Sequence, residues 1–242
     1  MNYEIVNKLS DNNIQEINFL QKLCAAADRA SYDYFVGEES DSTQQFVLTR
    51  NDKNQLCGYA YSYSGNTTEI SGLVAPEYRK QHIFTTMLNI LCDRTSLPVE
   101  LLCRPDNPVC SICAEKLGYY KHTDEYMMQY FPEDNILFDS LYYEIEENAN
   151  ALTYYFYDDN DNVGAISVFE EKSAATIYDV LTHKEFRGRG YGKRMLLTLL
   201  SHLSVRKHII LLQVSGDNDI AFMLYKNIGF DIIDMCRYYE KE

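Results

Sequence analysis

The chain has 242 residues and a mass of 28.1 kDa, with 46% hydrophobic residues and 22 Lys and Arg against 36 Asp and Glu, a net charge of −14. That length holds one large domain or two of about 110 to 120 residues, each able to bury a core, and so negative a charge argues against partners bound by phosphate neutralisation, nucleic acid and anionic membrane alike. No apolar run nears the ~18 residues of a spanning helix, and the start Met-Asn-Tyr-Glu-Ile-Val lacks the basic flank and apolar stretch of a signal peptide, so a cytoplasmic protein is expected.

Apolar spacing predicts a helix over Ile14 to Ala27, then a strand pair, Phe46 to Thr49 and Leu56 to Tyr63, joined by the polar turn Arg50 to Asn54. Thr68 to Val74 reads as a strand leading to the turn Arg79-Lys80-Gln81-His82-Ile83-Phe84, followed by helix Thr85 to Cys92, strand Val99 to Cys103, helix Val109 to Leu117 and strand Tyr126 to Phe131. Pro132, Glu133, Asp134 and Asn135 read as a link. Beyond it, Ile136 to Asn150 is short for a strand and two helices; Ala151 to Tyr157 and Val163 to Glu170 are strands around the turn Asp158 to Asn162, and Thr176 to Thr182 is a further strand. The seven cysteines (Cys24, Cys57, Cys92, Cys103, Cys110, Cys113, Cys236) are odd in number and sit in apolar surroundings, the pattern of reduced thiols rather than of a disulfide framework. Cys110-x-x-Cys113 has no second pair or His-x-His cluster beside it and reads as helix packing, so no metal site is expected.

The most informative segment is Arg187-Gly188-Arg189-Gly190-Tyr191-Gly192, between the strand ending at Thr182 and a leucine-rich helix, Lys193 to Leu203. Glycines let the backbone turn with positive φ and approach a ligand, while the first N–H groups of the helix point outward at the positive end of its dipole. Arg187, Arg189, Lys193 and Arg194 add cations that grip phosphate oxygens. A dinucleotide turn is the alternative, but its spacing is G-x-G-x-x-G with an acidic residue about 20 positions on, where this chain has Ile210 to Gln213. After the short apolar strand Ile209 to Val214 comes Asn218-x-x-Ala221-x-x-x-Tyr225-x-x-x-Gly229-Phe230; offsets of three and seven put Asn218, Ala221 and Tyr225 on one helix face, and Gly229 stops that helix.

Both patterns, in this order, resemble those of the GCN5-related N-acetyltransferases (the GNAT family). The resemblance implies a mixed sheet flanked by helices, an α/β fold of the α+β kind, and a site for acetyl-CoA as cosubstrate. Its diphosphate would rest on Arg187, Gly188, Arg189, Gly190, Tyr191, Gly192 and Lys193, with Asn218, Ala221 and Tyr225 along its arm. Backbone N–H groups of Val180, Leu181 and Thr182 would pair with the pantetheine amides and stabilise charge on the thioester oxygen, provided that the strand splays from its neighbour. Tyr225 occupies the position of the family's usual proton donor to the departing thiolate. Asp179, on the strand entering the turn, is the candidate base, with Tyr178 beside it and Glu170 further back.

The chain also repeats itself. A shift of 108 aligns Arg187 with Arg79, Phe186 with Tyr78, Met195 with Met87 and Leu199 with Leu91; a shift of 111 aligns Asn218 with Asn107, Gly229 with Gly118 and Phe230 with Tyr119. Two tandem GNAT-like domains follow, residues 1–131 and 132–242. In the first copy Lys80, His82 and Phe84 replace the three glycines, and Ala114 stands where the second copy has Tyr225, so it reads as the fold without the chemistry or the cofactor. Its role would be to shape the acceptor pocket or to stabilise a homodimer. The function implied is transfer of an acetyl group to a primary amine of a small molecule or peptide; the alternative is a non-catalytic acyl-CoA sensor or interaction module.

Overall fold

Val47 faces one helical layer while its neighbours Phe46 and Leu48 face another, and all three are buried. A strand covered on both faces reads as a continuous apolar run, and this one lies at the heart of the first of two compact units. The computed structural model describes residues 1–30, 32, 44–132, 140–148, 151–206 and 209–241. In chain order the elements are β1 (Asn2–Val6), α1 (Asp11–Asp28), β2 (Gln44–Arg50), β3 (Leu56–Ser64), β4 (Thr68–Val74), α2 (Ile83–Cys92), β5 (Val99–Cys103), α3 (Pro108–Lys116) and β6 (Tyr120–Tyr130). They continue with β7 (Tyr142–Asn148), β8 (Ala151–Asp158), β9 (Asp161–Glu170), β10 (Ala174–Thr182), α4 (Tyr191–Ser204), β11 (Ile209–Ser215), α5 (Asp219–Ile228) and β12 (Phe230–Glu240). Of the expected link, Glu133, Asp134 and Asn135 lie outside the described residues. Among those described, no helix is long and apolar enough to cross a membrane.

The first unit comprises Met1–Thr123 and Cys236–Glu242, the second Asp124–Met235. This differs from the expected division after residue 131, because the last strand of each copy is seated in the other unit. Ladder pairing is the reason. Glu125 to Tyr130 of β6 pair antiparallel with Ser215 to Ile210 of β11 in the second unit. Arg237 to Glu240 of β12 pair antiparallel with Cys103 to Glu100 of β5 in the first.

The first unit's sheet runs β1-β2-β3-β4-β5 to the end of β12, with β4 and β5 parallel and the other pairs antiparallel. Ser10 caps α1 by accepting a hydrogen bond from the Asn13 N–H at 3.2 Å. Ile17, Leu20 and Cys24 of that helix pack with Phe46, Leu48, Tyr59 and Leu73 on one face, while Met87, Leu88 and Leu91 of α2 and Ala114 of α3 pack with Val47, Ala60, Ile70 and Leu101 on the other.

The second unit's sheet runs β6-β11-β10-β9-β8-β7, mixed because β10 and β11 are parallel. Met195, Leu196, Leu199, Leu200 and Leu203, spaced to share one face of α4, are fully buried against Tyr154, Phe156, Ile166, Val168, Ile177, Ile210 and Leu212. Each such leucine stabilises the unit by about 1.5–3 kcal/mol. The cysteine expectation needs one correction: Cys103 and Cys110 form a disulfide, since the first turn of α3 folds back to place its Cα 5.7 Å from that of the last residue of β5. The described thiols Cys24 and Cys57 are buried and free.

Candidate active site

In the second unit β10 pairs with β9 from Ala175↔Glu170 to Tyr178↔Ser167 and again at Leu181↔Ala165 and Thr182↔Gly164, with a register shift between. Asp179 and Val180 therefore have no register partner, and Asp179 takes a φ of +50°, a left-handed conformation that bends the strand outward as a β-bulge. Gly164 is required opposite the bulge, since a Cβ there would lie 2.1 Å from the Leu181 carbonyl oxygen. On the other side, parallel pairing of β10 with β11 stops at Ile177↔Leu212. Beyond that point Tyr178 to Thr182 have no register partner on β11, the splay that the sequence reading required.

The strand then enters a 3₁₀ turn, Lys184–Phe186, and the glycine segment. Gly188 and Gly190 have φ of +72° and +84°, and a Cβ at either would meet nothing within 4 Å, so what demands glycine is backbone conformation beside open space. Gly190 stands at the N-cap of α4 without a side-chain cap, which leaves the first N–H groups of the helix available to an anion. Arg187 is anchored by its Nε, which donates to the Thr182 carbonyl at 3.0 Å, and its terminal nitrogens have no ion pair among the described residues. Arg189 lies over the Phe186 ring at 5.9 Å and Lys193 is exposed. In the sequence Asp158 reads as one acid of a solvated polar turn. Its Oδ2 accepts from the Tyr191 hydroxyl at 2.6 Å and from Arg194 at 3.5 Å, fixing the first turn of α4.

At the start of α5 the Asn218 Oδ1 accepts from the Ala221 N–H at 3.1 Å, so its carbonyl works as the helix cap. Gly229, at φ +111°, closes the helix by donating to Lys226 and Tyr225 carbonyls. Tyr225 between them is 6% exposed, packs against Phe230, and its hydroxyl has no hydrogen-bond partner among the described residues. Burial pushes its phenol above the ordinary value, which keeps the proton on. Asp179 is exposed and carries no ion pair or hydrogen bond among the described residues. Glu170 is placed elsewhere: it accepts from Arg206 at 3.3 Å and from the Tyr154 hydroxyl at 3.4 Å, within the α4 layer, so it does not back Asp179. His183 is held by Asn162 at 2.7 Å.

The first unit has the matching parts in another state. Its turn is retained, contrary to what loss of the glycines implies: Lys80 and His82 hold φ of +61° and +60°, the conformations of Gly188 and Gly190, at a cost of about 1–2 kcal/mol each. Arg79 Nε donates to the Val74 carbonyl at 3.1 Å, as Arg187 does to Thr182. Its two terminal nitrogens, however, are taken by the Asp28 carboxylate at 2.6 and 2.7 Å, and the Tyr32 hydroxyl donates to the same group at 2.5 Å. There is no register shift between β3 and β4, so the first copy also lacks the bulge.

Residues 120–230 match the family model described as the acetyltransferase (GNAT) family. The chain is 31% identical over 85 residues to a [ribosomal protein bS18]-alanine N-acetyltransferase of Haemophilus ducreyi, an overlap of 34% of this chain and 59% of that relative, so it spans about three-fifths of the relative's length. Two solved structures share the fold over nearly the whole chain. A GCN5-related N-acetyltransferase from Sphaerobacter thermophilus aligns with a TM-score of 0.72 at 15% identity, covering 99% of this chain and 95% of that one. A tandem GNAT protein from the clavulanic acid biosynthesis pathway aligns at 0.62 and 12% identity, covering 98% of each. The matched residues 120–230, a little under half of the chain, coincide closely with the second compact unit.

Proposed function

We propose that the second unit transfers an acetyl group from acetyl-CoA to a primary amine of a small molecule or peptide. The observation that carries this reading is the end of β10–β11 pairing at Ile177↔Leu212, directly before a bulge and a glycine turn whose arginine fork is open. Arg187, Arg189 and Lys193, with the backbone from Gly188 to Gly192, fit a diphosphate; Val180, Leu181 and Thr182 line the arm with main-chain groups. The thioester supplies an activated acyl carbon; the residues of the chain position it and move protons.

A lysine-type amine has a pKa near 10.4, so at pH 7 about 5 kcal/mol separates it from its nucleophilic form. Asp179, at the mouth of the splay, takes that proton. The amine nitrogen then bonds to the acyl carbon while the carbon–sulfur bond breaks, the Val180 N–H supports the charge growing on the carbonyl oxygen, Tyr225 gives its proton to the thiolate, and the proton that the nitrogen sheds on becoming an amide replaces it on the phenol. The similarity to an enzyme named for a protein alanine makes a peptide amine the acceptor to try first. The first unit holds no CoA in this reading, because the Asp28 carboxylate already occupies Arg79.

The test is acetyl-CoA-dependent release of free thiol with a panel of amines and peptides. Tyr225→Phe should reduce kcat at least about tenfold with CoA affinity retained; unchanged turnover removes Tyr225 from the mechanism. Uptake of CoA without turnover for any amine would favour the acyl-CoA sensor.

A further inference from the structure

Three ligand-bearing side chains far apart in sequence meet in the first unit, away from either glycine-turn position. Glu100 of β5 and Glu240 at the end of β12 are register partners, so their side chains project from the same face of adjacent strands. Like charges directly opposite destabilise a sheet, and among the described residues no Lys or Arg pairs with either carboxylate. The neighbouring cation, Lys241, is turned away: its Nζ donates to the Leu117 carbonyl at 3.3 Å and lies 5.7 Å from the Tyr119 ring. What does reach them is His122 of β6, whose Nδ1 is 3.1 Å from Glu240 Oε1. One ligand atom from each of Glu100, His122 and Glu240 lies within 4.8 Å of the others. Glu100 is also oriented from outside the group, since Thr67 Oγ1 donates to its Oε2 at 2.8 Å.

We propose that Glu100, His122 and Glu240 bind a divalent transition-metal ion, zinc by their chemistry. One imidazole nitrogen and two carboxylate oxygens make a three-ligand protein set with room for water in the fourth position. Bond lengths of about 2.0–2.2 Å place such atoms roughly 3.5 Å apart, a small closing movement from the present spacing. Thr67 acts as the outer partner that fixes a ligating carboxylate. The ion relieves the Glu100–Glu240 repulsion and fastens the final strand of the chain into the first unit, joining β5, β12 and the start of β6. None of this was legible as a motif, because the three residues come from segments up to 140 positions apart.

The 242-residue chain, stripped with chelator, is titrated with Zn²⁺ by calorimetry and melted with and without it. One equivalent should bind outside the thiols and raise the melting temperature by several degrees. His122→Ala and Glu240→Gln should each abolish that equivalent and that shift, and Thr67→Val should weaken binding about tenfold. Co²⁺ in place of Zn²⁺ should give visible bands without thiolate charge-transfer absorption. Failure to bind, an equivalent retained in both variants, or a thiolate signature with Co²⁺ would overturn the proposal.

Discussion

Gly190 combines a φ of +84° with open space where a Cβ would point. Gly190→Val should therefore cost folding only about 1–2 kcal/mol, the left-handed penalty of a side chain, while placing bulk where a diphosphate meets bare backbone. CoA affinity measured by calorimetry should fall more than tenfold with a small change in melting temperature; an unchanged affinity would remove the turn from the cofactor site. Asp28 makes the complementary point in the first copy. Its carboxyl is held below the usual range, first by its hydrogen bond from Arg79, so the unfolded chain binds its proton more tightly than the folded one. The stabilisation is present above the ordinary carboxyl value near 4 and is lost as pH falls through the depressed one. Asp28→Ala should cost about 3 kcal/mol at pH 7, because a mostly buried Arg79 is left unpaired, and in urea unfolding the gap to wild type should shrink below about pH 4. Local signals such as the glycine turn and the Asn-Ala-Tyr spacing were legible in the sequence, since their meaning lies within a dozen residues. The Arg79–Asp28 pair was not, being 51 positions apart, and without it the retained turn at Lys80 and His82 looked like a lost one.

Helix α4 illustrates what periodicity reads well: the leucine stripe predicted over Lys193 to Leu203 is the buried stripe observed from Met195 to Leu203. Strands β1 and β7 escaped the same reading because most of their side chains are exposed, so no period-two apolar alternation marks them. The bulge in β10 escaped too, since an extra residue in a strand has no composition of its own. On the polar edge of α4, His202 receives a hydrogen bond from Arg206 at Nε2, 2.6 Å away, and lies 3.0 Å from the Tyr143 hydroxyl through Nδ1. A ring accepting at Nε2 is neutral, with its proton on Nδ1 donated to Tyr143. Burial, then the Arg206 charge, lowers the His202 pKa from its ordinary value near 6.5. The unfolded chain thus takes up this proton first as pH falls, and the contribution of His202 is present above about pH 6.5 and lost as pH drops through the lower folded value. Denaturant midpoints of the second unit should decline between about pH 7 and 5, and His202→Gln should flatten that decline. An identical slope in the variant would assign it to other groups.

At the scale of the molecule, the duplication read from the sequence predicts two domains, the second short at its start and borrowing a wall from the first, and the ladders make each unit depend on a strand from the other half. Pairing between distant strands leaves no local mark, which is why the break after residue 131 was legible only as a change of composition. The first unit needs Arg237 to Glu240 to cover the free edge of β5, and buries Tyr239 of that segment to 2% exposure with the α2 layer. The second needs Glu125 to Tyr130 to cover β11, and buries Met128 fully in its core. Deleting residues 236–242 thus removes the strand segment paired with β5 and a core tyrosine, a loss of about 3–5 kcal/mol from the aromatic side chain alone, comparable with the whole stability of a domain. The expected outcome is that hydrogen exchange becomes fast in β4 and β5, more than 130 residues from the deletion, while amides of α4 and β9 stay protected. Likewise, neither fragment 1–131 nor fragment 132–242 alone should show a cooperative thermal transition, and the two together should regain one. Cooperative melting of either fragment by itself would show that the exchanged strand is dispensable, and the units would then be independent domains.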